Sequence, residues 1–295
     1  MADGPVPAGH LRFVTLNLWG RAGDWPARRA AVLAGLRALA PDVVGLQEVE
    51  ELEGPDGTVE NQAAGLAAEL GLHVVYGVSH TRELPDGVTR RFGNALLSRY
   101  PLSGSGCRPL PEGRRDEPRS LLHAVVGTPH GPMTVVVTHL AWRLDASADR
   151  VRQVVALAAC VENLHPSPPD DDDPGWLDLP PVVLADLNAE PASDEVRFLT
   201  GLSAVDGLGV RYADAWRYGG DGEGCTYAPS NPFAARSSEH GRRIDYVLVR
   251  GPVDGGLGVP HGPRLAFTEP VGGVHASDHY GVVADLRVVP VGQEG

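Results

Sequence analysis

The sequence predicts a four-layer αββα sandwich, in which two mixed β-sheets pack face to face between outer helices. Three observations predict it. Strand-like and helix-like segments alternate along the 295 residues. The β-rich segments are numerous enough for two sheets. Two long segments carry apolar residues at helical spacing, so each has one face to bury against a sheet. A flexible N-terminus over residues 1–10 precedes one domain spanning 11–290.

The elements follow in order. Residues 11–18 form a β-rich run ending near Asn17 and Trp19. Asp24 is placed to cap a helix with Pro26 in its first turn. Val32, Leu33, Leu36 and Leu39 then recur until Pro41, so a helix is expected over 26–40. Residues 43–47 read as a short buried strand, and 62–70 as a helix closed by Gly71. Strands are expected at 73–78, 95–98, 121–126 and 134–139. A second long helix is expected over 146–164, with Val151, Val154, Val155 and Ala158 on one face. Strands at 182–187, 244–249 and 280–288 complete the set. Residues 165–181 hold six prolines and four consecutive aspartates, 170–173, and read as a loop excursion inside one domain. Contiguous carboxylates lack the alternating spacing that wraps a calcium ion, so a solvated acidic loop is the better reading. No fixed-period repeat is visible.

Composition excludes several chemistries. The 25 cationic residues, all arginine, face 38 acids, for a net charge of −13. Without lysine there is no Walker-type phosphate loop, no pyridoxal Schiff base and no lysine general base. The acidic balance argues against a long non-specific nucleic-acid footprint, although a local arginine patch is compatible with an acidic body. Cys107, Cys160 and Cys225 form no CxxC pair and read as free thiols of a reducing compartment. No apolar signal core follows the first ten residues and no apolar run reaches membrane-spanning length, so a cytoplasmic protein is expected.

The most informative feature is where the strands finish. Apolar runs end in Asn17, in Gln47-Glu48, in Thr138-His139 and in Asp186 with Asn188. Asp245 opens another run, and Ser277-Asp278-His279 opens the last. Acids and amides are disfavoured inside strands. Each alone has an ordinary explanation as a turn cap or a satisfied buried histidine. Six such endings would make a site if they converge at one edge of the sheets.

The blocks Thr15-Leu16-Asn17, Leu46-Gln47-Glu48, Asn94-Ala95-Leu96-Leu97-Ser98, Thr138-His139-Leu140, Asp186-Leu187-Asn188, Arg243-Ile244-Asp245-Tyr246 and Ser277-Asp278-His279 carry a resemblance. In this combination the chain resembles the endonuclease/exonuclease/phosphatase (DNase I-like) superfamily over nearly its whole length. That superfamily includes DNase I-like nucleases, abasic-site endonucleases, neutral sphingomyelinases, inositol-polyphosphate phosphatases and deadenylases. Ala185 departs from the glycine usual before Asp-x-Asn, which matters only if the backbone there needs positive φ. The resemblance implies phosphate-ester hydrolysis by water with one or two Mg²⁺ or Mn²⁺ ions. It implies Glu48 as the principal metal ligand, Asn17 beside it and Asp278 as a second contact. It assigns Asp186 to orient or deprotonate the water and Asn188 to hold the water or a phosphate oxygen. His279 and His139 then bind the phosphate from two sides, with Asp245 fixing the tautomer of His279. Either imidazolium suits a general acid, and the choice stays open.

Trp19-Gly20 and the stretch from Cys225 to Pro232 look like the sphingomyelinase-type branch, and His139 resembles that branch and DNase I. Arg114, Arg115, Arg119, Arg242 and Arg243 are candidate phosphate contacts, of which Arg119 and Arg243 are singled out for substrate. Arg90-Arg91 is a further pair for the rim. So few cations favour one or two phosphates, and hence a small or lipid-like phosphodiester or phosphomonoester. A DNA or RNA nuclease of the same fold is the alternative. A non-enzymatic scaffold is disfavoured because every catalytic position is filled. A monomer without a transmembrane segment is expected.

Overall fold

The computed structural model describes residues 4–113, 117–166, 178–251 and 254–292. The chain runs β1 (His10–Asn17), α1 (Trp25–Leu39), β2 (Val43–Glu53), β3 (Val59–Asn61), α2 (Gln62–Leu70), β4 (His73–Glu83), β5 (Thr89–Ser98), β6 (Leu102–Pro109), β7 (Ser120–Thr128), β8 (Gly131–His139), α3 (Ser147–Leu164), β9 (Val182–Asp186), α4 (Asp194–Leu199), β10 (Tyr212–Asp214), β11 (Asp245–Arg250), β12 (Pro260–Ala266) and β13 (Gly281–Arg287). One sheet has the order β12-β13-β1-β2-β5-β4, with β3 on the end of β2. The other has the order β10-β11-β9-β8-β7-β6. Both are mixed. β1 and β2 are parallel, as are β8 and β9, and the remaining neighbours are antiparallel. Each parallel pair is joined by a long helix, α1 or α3, as parallel pairing requires.

Strand alternation builds three cores. Phe13, Val135, Val137, Leu184, Val247 and Ala284 meet between the sheets. Their strand neighbours Val14, Leu16, Val44 and Leu46 pack outward under Val32 and Leu36 of α1. Val136, Val183 and Leu248 pack outward under Val154, Leu157 and Val161 of α3. The αββα layering expected from sequence is therefore the observed one. At Gly45 the sheets approach so closely that a Cβ would lie 2.6 Å from Leu184 Cβ. The cap on α1 is as expected: Asp24 Oδ1 accepts from Ala27 N at 3.1 Å.

Several elements lie beyond the sequence expectation. β6 and β12 contain glycine and proline, which edge strands tolerate because one backbone side needs no partner. β3 and β10 are three residues each. β2 does not stop at Gln47. It continues through a bulge between Leu46 and Val49, and its charged tail pairs with the start of β5. Glu51 and Glu53 receive Arg91 there, at 3.0 and 2.6 Å, which explains why a segment so acidic is a strand. Cys107, Cys160 and Cys225 are free thiols. The aspartates at 170–173 and Arg114 and Arg115 lie outside the described residues. Among the described residues no helix is long and apolar enough to cross a membrane.

Candidate active site

Four parallel strands, β1, β2, β8 and β9, end at one edge of the sandwich. Inward-facing parity carries over from the core. Phe13 faces the space between the sheets, so Asn17 does. Val137 does, so His139 does, and Leu184 does, so Asp186 does. The antiparallel neighbours begin where these end. Asp245 pairs with Asp186, and His279 lies just ahead of β13. The bulge in β2 turns Glu48 toward the same place, with φ of 53°. Asn188 has φ of 49° and Trp19 of 58°, so three bulky residues beside the site occupy the left-handed region. Ala185 is not among the positive-φ residues, and its methyl is buried in the core under α3.

The side chains meet in a dense network. Asp186 Oδ2 accepts from Asn17 Nδ2 at 2.9 Å and lies 3.4 Å from His139 Nε2 and 4.0 Å from His279 Nε2. Its other oxygen accepts from Asn188 N at 2.9 Å. Asp245 Oδ2 lies 2.9 Å from His279 Nδ1. Ser277 Oγ donates to Asn17 O at 2.6 Å and accepts from His279 N at 3.2 Å. The Tyr227 ring lies beside His279, with centroids 5.1 Å apart. Thus Asn17, Glu48, His139, Asp186, Asn188, Asp245, Asp278 and His279 share one site.

The two histidines differ in kind. Burial, then the Arg119 charge, push His139 down to about 3, so it is neutral at physiological pH. Arg119 Nη1 donates to its Nδ1 at 2.9 Å, and its Nε2 lies 2.9 Å from Asn188 Nδ2 and 3.4 Å from Asp186 Oδ2. Burial also opposes protonation of His279, but the charge and hydrogen bond of Asp245, with Asp278 and Asp186, hold it well above its usual value. These shifts favour a neutral His139 and an imidazolium at His279 at neutral pH. Burial opposes ionisation of Asp186, yet His139, His279 and the Asn17 and Asn188 hydrogen bonds win and keep its carboxyl low. Burial raises Asp245 to about 6 against the pull of His279. Burial, then Asp278, raise Glu48 to about 7, and burial raises Asp278 too.

The arginines are differently placed than expected. Arg243 gives both terminal nitrogens to Asp214, at 3.0 and 2.8 Å, and lies over the Tyr246 ring, which braces the second sheet. Arg119 is buried between His139 and Glu117. Arg242 pairs with Glu239 at 2.7 Å, Arg90 with Glu50 at 3.7 Å, and Arg91 with Glu51 and Glu53. Strand-end reading missed Thr226, whose Oγ1 accepts from the amides of Ile244 and Asp245 at 3.1 and 3.2 Å. It also missed Arg28, fully buried beneath the site. Burial lowers Arg28 to about 10 against the pull of Asp278 and Glu48. A signal existed: Arg28 falls on the apolar stripe Trp25, Val32, Leu36 of α1, where a cation is out of place.

The donor set suits a hard divalent cation. Asp186 and Asp245 bring carboxylate oxygens into one cluster with His279, all within 4.8 Å, and it is the oxygens that suit such an ion, since the imidazolium has no free nitrogen lone pair. Asp245 Oδ1 is buried without a hydrogen-bond partner. Asp278 adds to the cost of ionising buried Glu48, and burial raises Asp278 itself, costs that a bound cation would offset.

Fold and site together define an αββα protein with a carboxylate–histidine centre at one end of paired sheets. The chain belongs to the Endonuclease/Exonuclease/phosphatase family, whose model matches residues 14–279. An endonuclease/exonuclease/phosphatase from Beutenbergia cavernae is similar, with 26% identity and TM-score 0.69, over 94% of this chain and 71% of that one. The human Nocturnin catalytic domain, solved with a bound sulfate anion, shares the fold at 19% identity and TM-score 0.65, over 94% and 93%. A humanized D. rerio TDP2 does so at 19% identity and TM-score 0.63, over 95% and 99%. No curated protein matches the chain.

Proposed function

We propose that this chain is a divalent-metal-dependent phosphoesterase that hydrolyses a phosphodiester or phosphomonoester of a small or lipid-like substrate by water attack on phosphorus. The observation that carries the reading is the convergence of Asn17, Glu48, His139, Asp186, Asn188, Asp245, Asp278 and His279 at one sheet edge. Asp186, kept ionised at neutral pH, orients the water and accepts its proton. Asn188 sets the position of that carboxylate through its backbone N–H. His279, positively charged and braced by Asp245, donates from Nε2 to a phosphate oxygen as charge grows there. Neutral His139, held between Arg119 and the Asn188 side chain, lines the site beside Asp186. Glu48 and Asp278, with Asn17 nearby, would hold Mg²⁺ or Mn²⁺. A bound cation supplies charge neutralisation at the phosphate and the leaving oxygen.

Pairing of the rim arginines supports a compact substrate. Arg90, Arg91, Arg119, Arg242 and Arg243 all meet carboxylates. A polymer groove needs several cations free for successive phosphates. The deciding experiment is a substrate panel with Mg²⁺ and with Mn²⁺: plasmid DNA, single strands, sphingomyelin, inositol phosphates and bis(p-nitrophenyl) phosphate. Chelator-sensitive turnover of a small or lipid ester is expected. Efficient plasmid nicking at physiological ionic strength, with a steep salt dependence, overturns the substrate class in favour of a nuclease.

A further inference from the structure

We propose that Arg28 and Arg150 are a matched pair of positioning residues, each holding in place the loop that leaves one half of the site. Each lies eleven residues beyond a strand-ending site residue, Arg28 beyond Asn17 and Arg150 beyond His139. Each is the fourth residue of the helix that follows. The backbone between is shaped alike at its start: Leu18 N donates to Gln47 O at 2.9 Å, and Leu140 N to Asp186 O at 3.0 Å. In both cases the loop hangs from the end of the parallel neighbour strand.

A loop that turns away from a sheet edge leaves carbonyls without ladder partners, and burial makes that costly. The guanidinium fork answers several carbonyls at once. Arg28 donates to Leu18 O at 2.7 Å, Gly20 O at 2.7 Å, Ala22 O at 2.8 Å and Ala276 O at 3.0 Å, with Trp19 O at 3.4 Å. Its charge lies 5.1 Å from the Trp19 ring centroid and 5.3 Å from that of Trp25. Arg150 donates to Ala141 O at 3.1 Å and Arg143 O at 2.7 Å.

What the Arg28 bonds hold is one half of the candidate catalytic set, whereas the Arg150 bonds hold the loop that follows His139. Trp19 N donates to Asn17 Oδ1 at 2.9 Å, which turns Asn17 Nδ2 toward Asp186. Gly20 N donates to Glu48 O at 3.1 Å. Ala276, held by Arg28, precedes Ser277, which ties Asn17 O to the Asp278-His279 segment. One buried guanidinium therefore links the three segments carrying Asn17, Glu48 and Asp278. The two arginines differ in one respect. Arg150 is neutralised by Glu195 at 2.8 Å, whereas all the hydrogen bonds found for Arg28 run to carbonyls. Charge alone and positioning thus predict opposite effects at Arg28. Removing a cation near Glu48 and Asp278 strengthens metal binding if charge is all that matters. It weakens metal binding if the residue positions the ligands.

The test is calorimetric titration of Mn²⁺ into the full chain and into R28M, R28K and R150K, with bis(p-nitrophenyl) phosphate turnover measured in parallel. Positioning predicts at least tenfold weaker Mn²⁺ binding for R28M, and for R28K a loss nearer R28M than wild type, because one ammonium cannot span the carbonyls. R150K should keep wild-type Mn²⁺ affinity and lose about tenfold in kcat with KM unchanged. Equal or tighter Mn²⁺ binding in R28M overturns the proposal. If R28M does not fold, R28K decides by the same criterion. The inference rests on the phosphoesterase reading for its metal arm, and absence of Mn²⁺ binding by the wild type refutes that reading separately. Hydrogen exchange then decides: R28K must lose protection at 18–22 and 276–279 beyond its global stability loss, and unchanged protection overturns the proposal.

Discussion

Asp245→Asn isolates the partnership with His279. The substitution keeps size and a hydrogen-bond acceptor but removes the charge from a fully buried carboxylate 2.9 Å from His279 Nδ1. A hydrogen bond to a charged group contributes about 1.5–3 kcal/mol. Expressed wholly in the transition state, that is roughly a 10- to 150-fold loss in kcat. Burial by itself lowers a histidine, and Asp245 is the largest of the groups that raise His279. Its titration should therefore move down in the variant. The sign for stability follows: a folded value above the unfolded value of about 6.5 contributes stability below that pH, lost as pH rises through the folded value. D245N should flatten this slope in the metal-free protein. The assays are turnover of bis(p-nitrophenyl) phosphate and NMR titration of the imidazole. In the cycle with H279Q, the double variant should cost far less than the two penalties added. Strict additivity, or an unmoved His279 titration, refutes the partnership.

Glu48→Gln should fold and abolish chelator-sensitive turnover, checked by activity with and without EDTA alongside Mn²⁺ titration. Glu48, raised to about 7, should destabilise the metal-free protein as pH rises from its unfolded value toward 7. Denaturant melts of wild type and E48Q between pH 5 and 8 measure this, and E48Q should lose that part of the slope. Gly45→Ala forces a methyl against Leu184 and should cost about 1–3 kcal/mol, read as a lowered Tm with a two-state transition retained. A compact substrate predicts a shallow log–log salt slope of KM, measured between low and physiological ionic strength, with about one unit per neutralised phosphate.

The αββα layering was legible because long helices with one apolar stripe, set among many β-rich runs, have few ways to bury their faces. The candidate site was legible because polar residues that close apolar strands stand out against their surroundings. Asn17, His139 and Asp186 share the inward parity of Phe13, Val137 and Leu184, a period-two property present in the sequence. Whereas the edge strand β4 was legible, the edge strands β6 and β12 were not. Their glycine and proline content is tolerated only because the neighbour on one side is missing, which is a fact about sheet order. The extension of β2 was hidden for a related reason, since its acids are neutralised by Arg91 from a strand forty residues away.

The sequence by itself determined which residue types stand at the strand ends, the absence of lysine chemistry and the helices that cover the sheets. Those are local properties of pattern and composition. Tertiary structure alone decided the charge states and loyalties of those residues. His139 is neutral because it is buried, with Arg119 facing its Nδ1, while His279, equally buried, is charged because Asp245 faces its own. Arg243 is spent on Asp214 although it neighbours the site in sequence, and Arg28 serves the site from beneath. A pKa and an ion pair depend on burial and on distances of a few ångströms between segments remote in the chain, and sequence order does not encode those distances.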